Sequence, residues 1–191
     1  MKKGTIIVLV IVGILLLWVW SSYNGLVKKD VAVATAWGDV QVQYQRRADV
    51  LKNAMETVKG AAANEKDILT AVTNARAGID ASKADMAKAT TPAELDAALQ
   101  KAQNAALSIK VTVEAYPTIR STYAFLKFQD EISGTENRVA TVRSDYNAAV
   151  GAYNIAVRSF PSILVAKILG FANKDLFKAK DSAQDAPEVK F

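Results

Sequence analysis

The chain opens "MKKGTIIVLVIVGILLLWVWSSYNG", and from Thr5 to Trp20 it carries no charged side chain. A bilayer accepts such a run as a helix, because every backbone group is then satisfied internally and only apolar side chains meet lipid. A spanning helix needs about 17–25 residues, and Ser21, Ser22 and Tyr23 extend the run to that length. Trp18, Trp20 and Tyr23 stand where an interfacial aromatic belt belongs. The competing reading is a cleaved signal peptide, processed near "VWS" at 19–21. Trp20 spoils a small-x-small site there, so residues 1–22 are assigned as a retained single-pass anchor, in contact with lipid through residues 5–22. Lys2 and Lys3 flank one side, and Lys28 and Lys29 flank the other with Asp30 beside them. The charge count is nearly a tie. The first pair lies nearer the hydrocarbon, which leans toward an inside N-terminus and a body outside.

Beyond the anchor the hydrophobic spacing stays helical. Tyr23, Leu26, Trp37, Val40, Tyr44, Leu51 and Val58 fall in one heptad frame, which Asp30 and Arg47 interrupt. No Gly-Pro break separates this frame from the apolar run, so one long helix is expected to leave the bilayer and stop near Gly60. A second helix starts at an Asn64 cap and buries Ile68, Val72, Ala75, Ile79, Ser82 and Met86. A third starts at "TPAE": Thr91 caps, Pro92 takes the first turn and Glu94 reaches back. Its seam is Leu95, Leu99, Ala102, Ala106, Ile109, Val113 and Tyr116, and Pro117 ends it. The fourth runs from Thr118 to Ser159. Its seam is Phe125, Phe128, Ile132, Thr135, Val139, Val142, Tyr146, Ala149, Tyr153, Ala156 and Phe160, a heptad spacing that argues coiled-coil packing. Pro161 breaks it, and a short apolar piece follows at 162–171. The predicted fold is all-α: a transmembrane helix continuing into a long antiparallel bundle of about four helices at 23–171, with a mobile charged tail at 172–191.

Composition narrows the chemistry. The chain has neither cysteine nor histidine. That removes disulfides, thiolate nucleophiles, the commonest metal ligand and the usual base near neutral pH. The net charge of +5 is spread out, with no block of five or six like charges. Arg46 and Arg47 alone do not make a nucleic-acid face. No phosphate loop, nucleophile elbow or metal-ligand spacing is present.

The densest polar stretch is "TENRVATVRSDYNAAVGAYNIAVRSFP" at 135–161. Tyr146 and Tyr153 lie seven apart on the core seam, and Asn147 and Asn154 lie one step off it along one edge. Glu136 and Arg143 share one edge, Arg138 and Asp145 the other, and Asn137 lies among them. One reading is a polar groove for a ligand. The other is a packing code: tyrosine rings fill the core with hydroxyls satisfied at its edge, asparagines bond a partner helix, and charges bridge helices. The second is preferred, with Trp37, Arg46, Arg47, Phe160 and Pro161 as further structural or interaction residues. No catalytic, cofactor or metal-binding residue is assigned.

These blocks resemble a known family. "YNGLV", "AWGDVQVQYQRRADVL", "ETVKG", "EAYP" and the 135–161 block followed by "SIL" and "GF" are similar, in the same order, to the LemA family of bacterial membrane proteins. The resemblance covers about residues 21–171. It implies one N-terminal membrane helix in the bacterial inner membrane, a bundle of long antiparallel helices, and no established enzymatic activity. The family usually carries a proline where this chain has Leu51-Lys52-Asn53-Ala54-Met55, so a straight first helix is expected here. Asp30 stands where a basic residue is common. Descriptions of the family put the short N-terminus outside, against the lean of the charges, and the side stays open.

Function is therefore expected to be non-catalytic. The first expectation is a membrane-anchored scaffold that forms homo-oligomers. The alternative is a tethered adaptor or sensor for an unknown protein partner. An enzyme with an unrecognised polar site is the remote third. Neither nucleic acid nor a small-molecule substrate is expected.

Overall fold

A computed structural model describes residues 3–62 and 64–178, with Thr135 described by its backbone alone. All regular structure among them is helical: α1 (Lys3–Ala61), α2 (Lys66–Lys88), α3 (Pro92–Glu114), α4 (Pro117–Arg120), α5 (Tyr123–Arg158) and α6 (Ser162–Leu169). The chain divides into two units. One holds Met1–Asp39 with Ser144–Asp175, the other Val40–Arg143 with Leu176–Phe191. Helices α1 and α5 contribute to both.

Helix α1 is unbroken through Leu51–Met55, as the missing proline implies. Its first part is apolar, exposed and long enough to cross a bilayer. Farther on, Leu26, Val33, Val40, Arg47 and Ala54 are buried at seven-residue intervals, as are Tyr44, Leu51 and Val58. Asp30 and Arg47 thus do not interrupt the frame. They occupy it, and each has an ion-pair partner at Lys174 and Glu136 respectively.

In the larger unit α2 buries Ile68, Val72, Ala75, Ile79, Ser82 and Met86, the six residues the spacing picks out. Helix α3 buries Leu95, Leu99, Ala102, Ala106, Ile109 and Val113. Each large apolar side chain withdrawn from water stabilises by about 1.5–3 kcal/mol. The α3 start is the expected capping box: Glu94 N donates to Thr91 Oγ1 at 3.3 Å, and Thr91 N donates to Glu94 Oε2 at 3.3 Å. The α2 start is not capped by Asn64. The Glu65 amide bonds the Ala62 carbonyl at 2.9 Å, which carries the turn one residue farther, and Glu65 takes the cap position without a side-chain bond. Helices α2 and α3 approach closely at Gly78, where an added Cβ would sit 3.1 Å from Ala105 Cβ. An ionic ladder sets α2 against α1: Asp49 with Lys83, Lys52 with Asp80 at 2.6 Å, and Glu56 with Arg76. Numbers rise on one helix as they fall on the other, so this pair is antiparallel.

The expected fourth helix is interrupted near its start. After α4, Thr122 Oγ1 accepts from Phe125 N at 3.3 Å and begins α5 afresh. The α5 seam keeps the heptad positions Phe125, Phe128, Val139, Tyr146 and Tyr153 buried but departs from the frame elsewhere. Phe128, Val139 and Val150 are buried eleven apart, and so are Tyr146 and Val157. Ala149 and Ala156 are only half-buried, and Phe160 is 82% exposed. The cause is the helix's own pitch: at 3.6 residues per turn a face drifts about 20° per heptad, and an eleven-residue spacing follows it better. The seam position Thr135 lies outside the described side chains.

In the smaller unit the core is Leu26, Val33, Tyr146, Val150, Tyr153, Val157, Val165 and Ala166. Here residues 172–175, and in the larger unit residues 176–178, correct the expected mobile tail at its near end. Lys174, Asp175 and Lys178 hold hydrogen bonds to α5, and Phe177 is buried. The rest of that tail, 179–191, lies outside the described residues.

Candidate functional site

The polar stretch of α5 serves both units, and each unit closes its own cluster with it. In the smaller unit three residues of α1 spaced by seven meet partners in reverse order. The Trp37 ring lies 5.5 Å from the Tyr146 ring. Asp30 pairs with Lys174 Nζ at 2.6 Å, and that ammonium also sits 5.2 Å from the centre of the Tyr153 ring. Tyr23 meets Phe171 edge-on at 6.1 Å. The α5 end and α6 therefore lie toward the Tyr23 end of this part of α1.

Asn154 holds the segment that returns after α6. Its Nδ2 donates to the Lys174 carbonyl and its Oδ1 accepts from the Lys174 amide, both at 2.9 Å. Tyr146 OH donates to the Asp175 carbonyl at 3.1 Å. So at Asn154 this edge meets the returning strap, where the sequence predicted a partner helix. Burial, with Asp175 nearby, pushes the Tyr146 hydroxyl up from its ordinary range. Burial, with Asp30 nearby, does the same at Tyr153. Both hydroxyls stay protonated at physiological pH.

In the larger unit Asp96 of α3 gathers two partners. Tyr44 OH donates to Oδ1 at 2.6 Å and Arg143 Nη2 donates to Oδ2 at 2.8 Å. Arg143 also donates to the Lys178 carbonyl at 3.0 Å and stacks over the Phe177 ring at 4.9 Å. Phe177 in turn lies 6.1 Å from Tyr44. Burial first, then the bond to the Asp96 carboxylate, raises the Tyr44 hydroxyl far above its usual range. Beside this cluster is Arg47, only 3% exposed, whose nearest carboxylate oxygen is Glu136 Oε1 at 3.6 Å. That is longer than a hydrogen bond, and Arg47 Nε has no protein partner. Burial lowers the Arg47 pKa, and Glu136 offsets part of this. Arg47, Asp96, Gln103, Glu136 and Arg143 are among the residues lining a cavity of about 260 Å³.

Arg46, Asn137, Arg138 and Pro161 are exposed, and Asn147 is half-buried. Phe160 points to solvent rather than to a seam. Trp20 and Tyr23 are exposed on α1, and Trp18 is half-buried. Three residues that matter were not singled out from the sequence. Asp96 sits one step off the α3 seam with nothing to distinguish it. Lys174 and Phe177 lie in a segment whose charge reads as a tail. Chemically, both clusters bind backbone carbonyls and neutralise charge. Among the described residues no group of three acidic, histidine or cysteine side chains could hold a metal ion.

The sequence pattern of the LemA family matches residues 36–191. The chain is also similar to magnetosome proteins MamQ 2 and MamQ 1 of Paramagnetospirillum magneticum, 37% identical over 86 residues in each case. Magnetosome protein MamQ of Magnetospirillum gryphiswaldense is 31% identical over 86 residues. Each of these matches covers 45% of this chain and 31% of the relative's length.

Proposed function

The chain belongs to the LemA family, and on that premise we propose that it is a non-catalytic, membrane-anchored helical scaffold that self-associates at the bacterial cell membrane. The family and the exposed apolar part of α1 make it a membrane-associated helical protein. What carries the reading further is the use made of the polar stretch. Tyr146, Asn154 and Arg143 bond the backbone of the strap, and Glu136 faces a buried arginine. Groups committed to holding elements together are poor candidates for turnover, which needs a base, a nucleophile and a site for the reacting atom.

Self-association is supported by the surface of α3. Leu107 is 46% and Val111 is 68% exposed, one turn apart on one face. Apolar pairs so placed suit packing against another helix. The same surface suits an adaptor that engages a different protein, which is the second reading. The relatives are named for the magnetosome, and that role is not carried over to this chain, which spans 31% of their length.

The chain has no cysteine, so Val111→Cys creates a single handle for crosslinking in native membranes. The scaffold reading expects a self-linked dimer as the main product. One dominant foreign partner would replace it with the adaptor reading, and no product at all would contradict both.

A further inference from the structure

Helix α6 is a short element with apolar residues on both its buried and its exposed side. In "SILVAKIL" only Ser162 and Lys167 are polar. Val165 and Ala166 are buried at 3% and 0%, whereas Leu164, Ile168 and Leu169 are 51%, 82% and 49% exposed. Phe160, in the turn just before, is 82% exposed. Such a helix is not finished by its own unit. Its eight residues span about 12 Å, far short of the roughly 30 Å of a bilayer core, so it cannot cross.

Its position says what covers it. Ser162 Oγ donates to the Ala156 carbonyl at 2.6 Å and to the Ser159 carbonyl at 2.9 Å, which fixes the corner after α5. The two helices meet there at 97°. At the other end Gly170 turns left-handed (φ 77°) and Phe171 N bonds the Ala166 carbonyl at 3.0 Å. This Schellman-type stop delivers the Phe171 ring to Tyr23, 6.1 Å away. Tyr23 is the last aromatic of the belt that ends the membrane run, one turn past Trp20, itself 65% exposed. Exposed Lys28, Lys29, Arg158 and Lys167 belong to the same unit, as interfacial helices near anionic headgroups require.

The geometry points to α6 as a second membrane contact: it lies in the headgroup layer, with Phe160, Leu164, Ile168 and Leu169 set into the acyl boundary beside the anchor. The protein then grips the bilayer at two places, and the α5–α6 corner is held at a fixed depth.

The test uses the full chain reconstituted in phosphatidylethanolamine–phosphatidylglycerol vesicles. Single spin labels are placed at Ile168→Cys and Phe160→Cys, which are exposed enough to leave folding intact. Leu9→Cys in the span gives the lipid reference, and Thr73→Cys on the exposed face of α2 gives the water reference. The expected result is that labels at 160 and 168 lose access to a water-soluble nickel reagent and gain access to oxygen, as Leu9 does. Labels at 160 and 168 that match Thr73 would overturn the proposal. So would labels shielded from both reagents, because a protein surface would then cover α6.

Discussion

Asn154 holds Lys174 by both backbone groups, donating to its carbonyl and accepting from its amide at 2.9 Å each. A single side chain thereby replaces a strand partner for the strap. Each such bond stabilises by about 0.5–1.5 kcal/mol net. Asn154→Ala should therefore cost about 1–3 kcal/mol and accelerate hydrogen exchange at the Lys174 amide first. Uniform exchange across α5 in that variant would show that the clamp does not act locally.

Arg47 and Glu136 make an uneven pair, with side chains 3% and 63% exposed. A buried charge with a distant partner costs desolvation that the ion pair does not recover. Replacing it by an apolar side chain of similar length is often neutral or stabilising. Arg47→Met should leave the melting temperature unchanged or raise it, and Glu136→Gln should lower stability by less than about 1 kcal/mol. A loss of several kcal/mol in Arg47→Met, read by thermal or denaturant unfolding, would mean that the guanidinium has a further structural partner.

The contrast at Arg143 is deliberate. It binds Asp96, the Lys178 carbonyl and the Phe177 ring together. Arg143→Ala and Tyr146→Ala should each lower the melting temperature. A variant that keeps full stability while a cellular phenotype disappears would revive the enzyme reading.

The sequence showed most where one face of a helix meets a flat apolar partner. The α2 and α3 cores and the Thr91–Glu94 box are local patterns, and spacing reveals them. In α1 the frame was legible too, but Asp30 and Arg47 looked like interruptions because their partners lie far along the chain at Lys174 and Glu136. In α5 the heptad frame holds at Val139, Tyr146 and Tyr153 but fails at Ala149, Ala156 and Phe160. The drift of a 3.6-residue helix moves burial from Ala149 and Ala156 to Val150 and Val157, and puts Phe160 outside. The strap was hidden because Lys174, Asp175 and Lys178 are held by α5 through their backbone atoms, which composition does not reveal, and because the side-chain partner of Lys174, Asp30, lies far along the chain.

At Gly78 an added Cβ would meet Ala105 Cβ at 3.1 Å. Gly78→Ala gains about 1 kcal/mol of helix propensity against that contact, so its net effect should be small. Gly78→Val should cost about 1–3 kcal/mol through overpacking. Denaturant midpoints of the two variants check the order, and a valine no worse than alanine would show that α2 and α3 can part.

Acid should weaken the larger unit. The Lys52 ammonium lowers Asp80, the Lys101 ammonium lowers Asp85, and the Thr90 amide lowers Glu94 below the usual carboxylate range. A carboxylate depressed in the fold contributes stability above its unfolded pKa, about 4, and loses it as pH falls through the folded value. The melting temperature should be flat from pH 7 to about pH 5 and fall below pH 4. Glu94→Gln keeps an acceptor for the cap but does not titrate, so its acid limb should be shallower.

The central claim is that this chain is a scaffold built from copies of itself. The direct measurement is the mass of the purified full chain in mild detergent at micromolar concentration, by light scattering with the detergent contribution subtracted. The account expects a discrete homo-oligomer. A clean monomer of 20.6 kDa would contradict it.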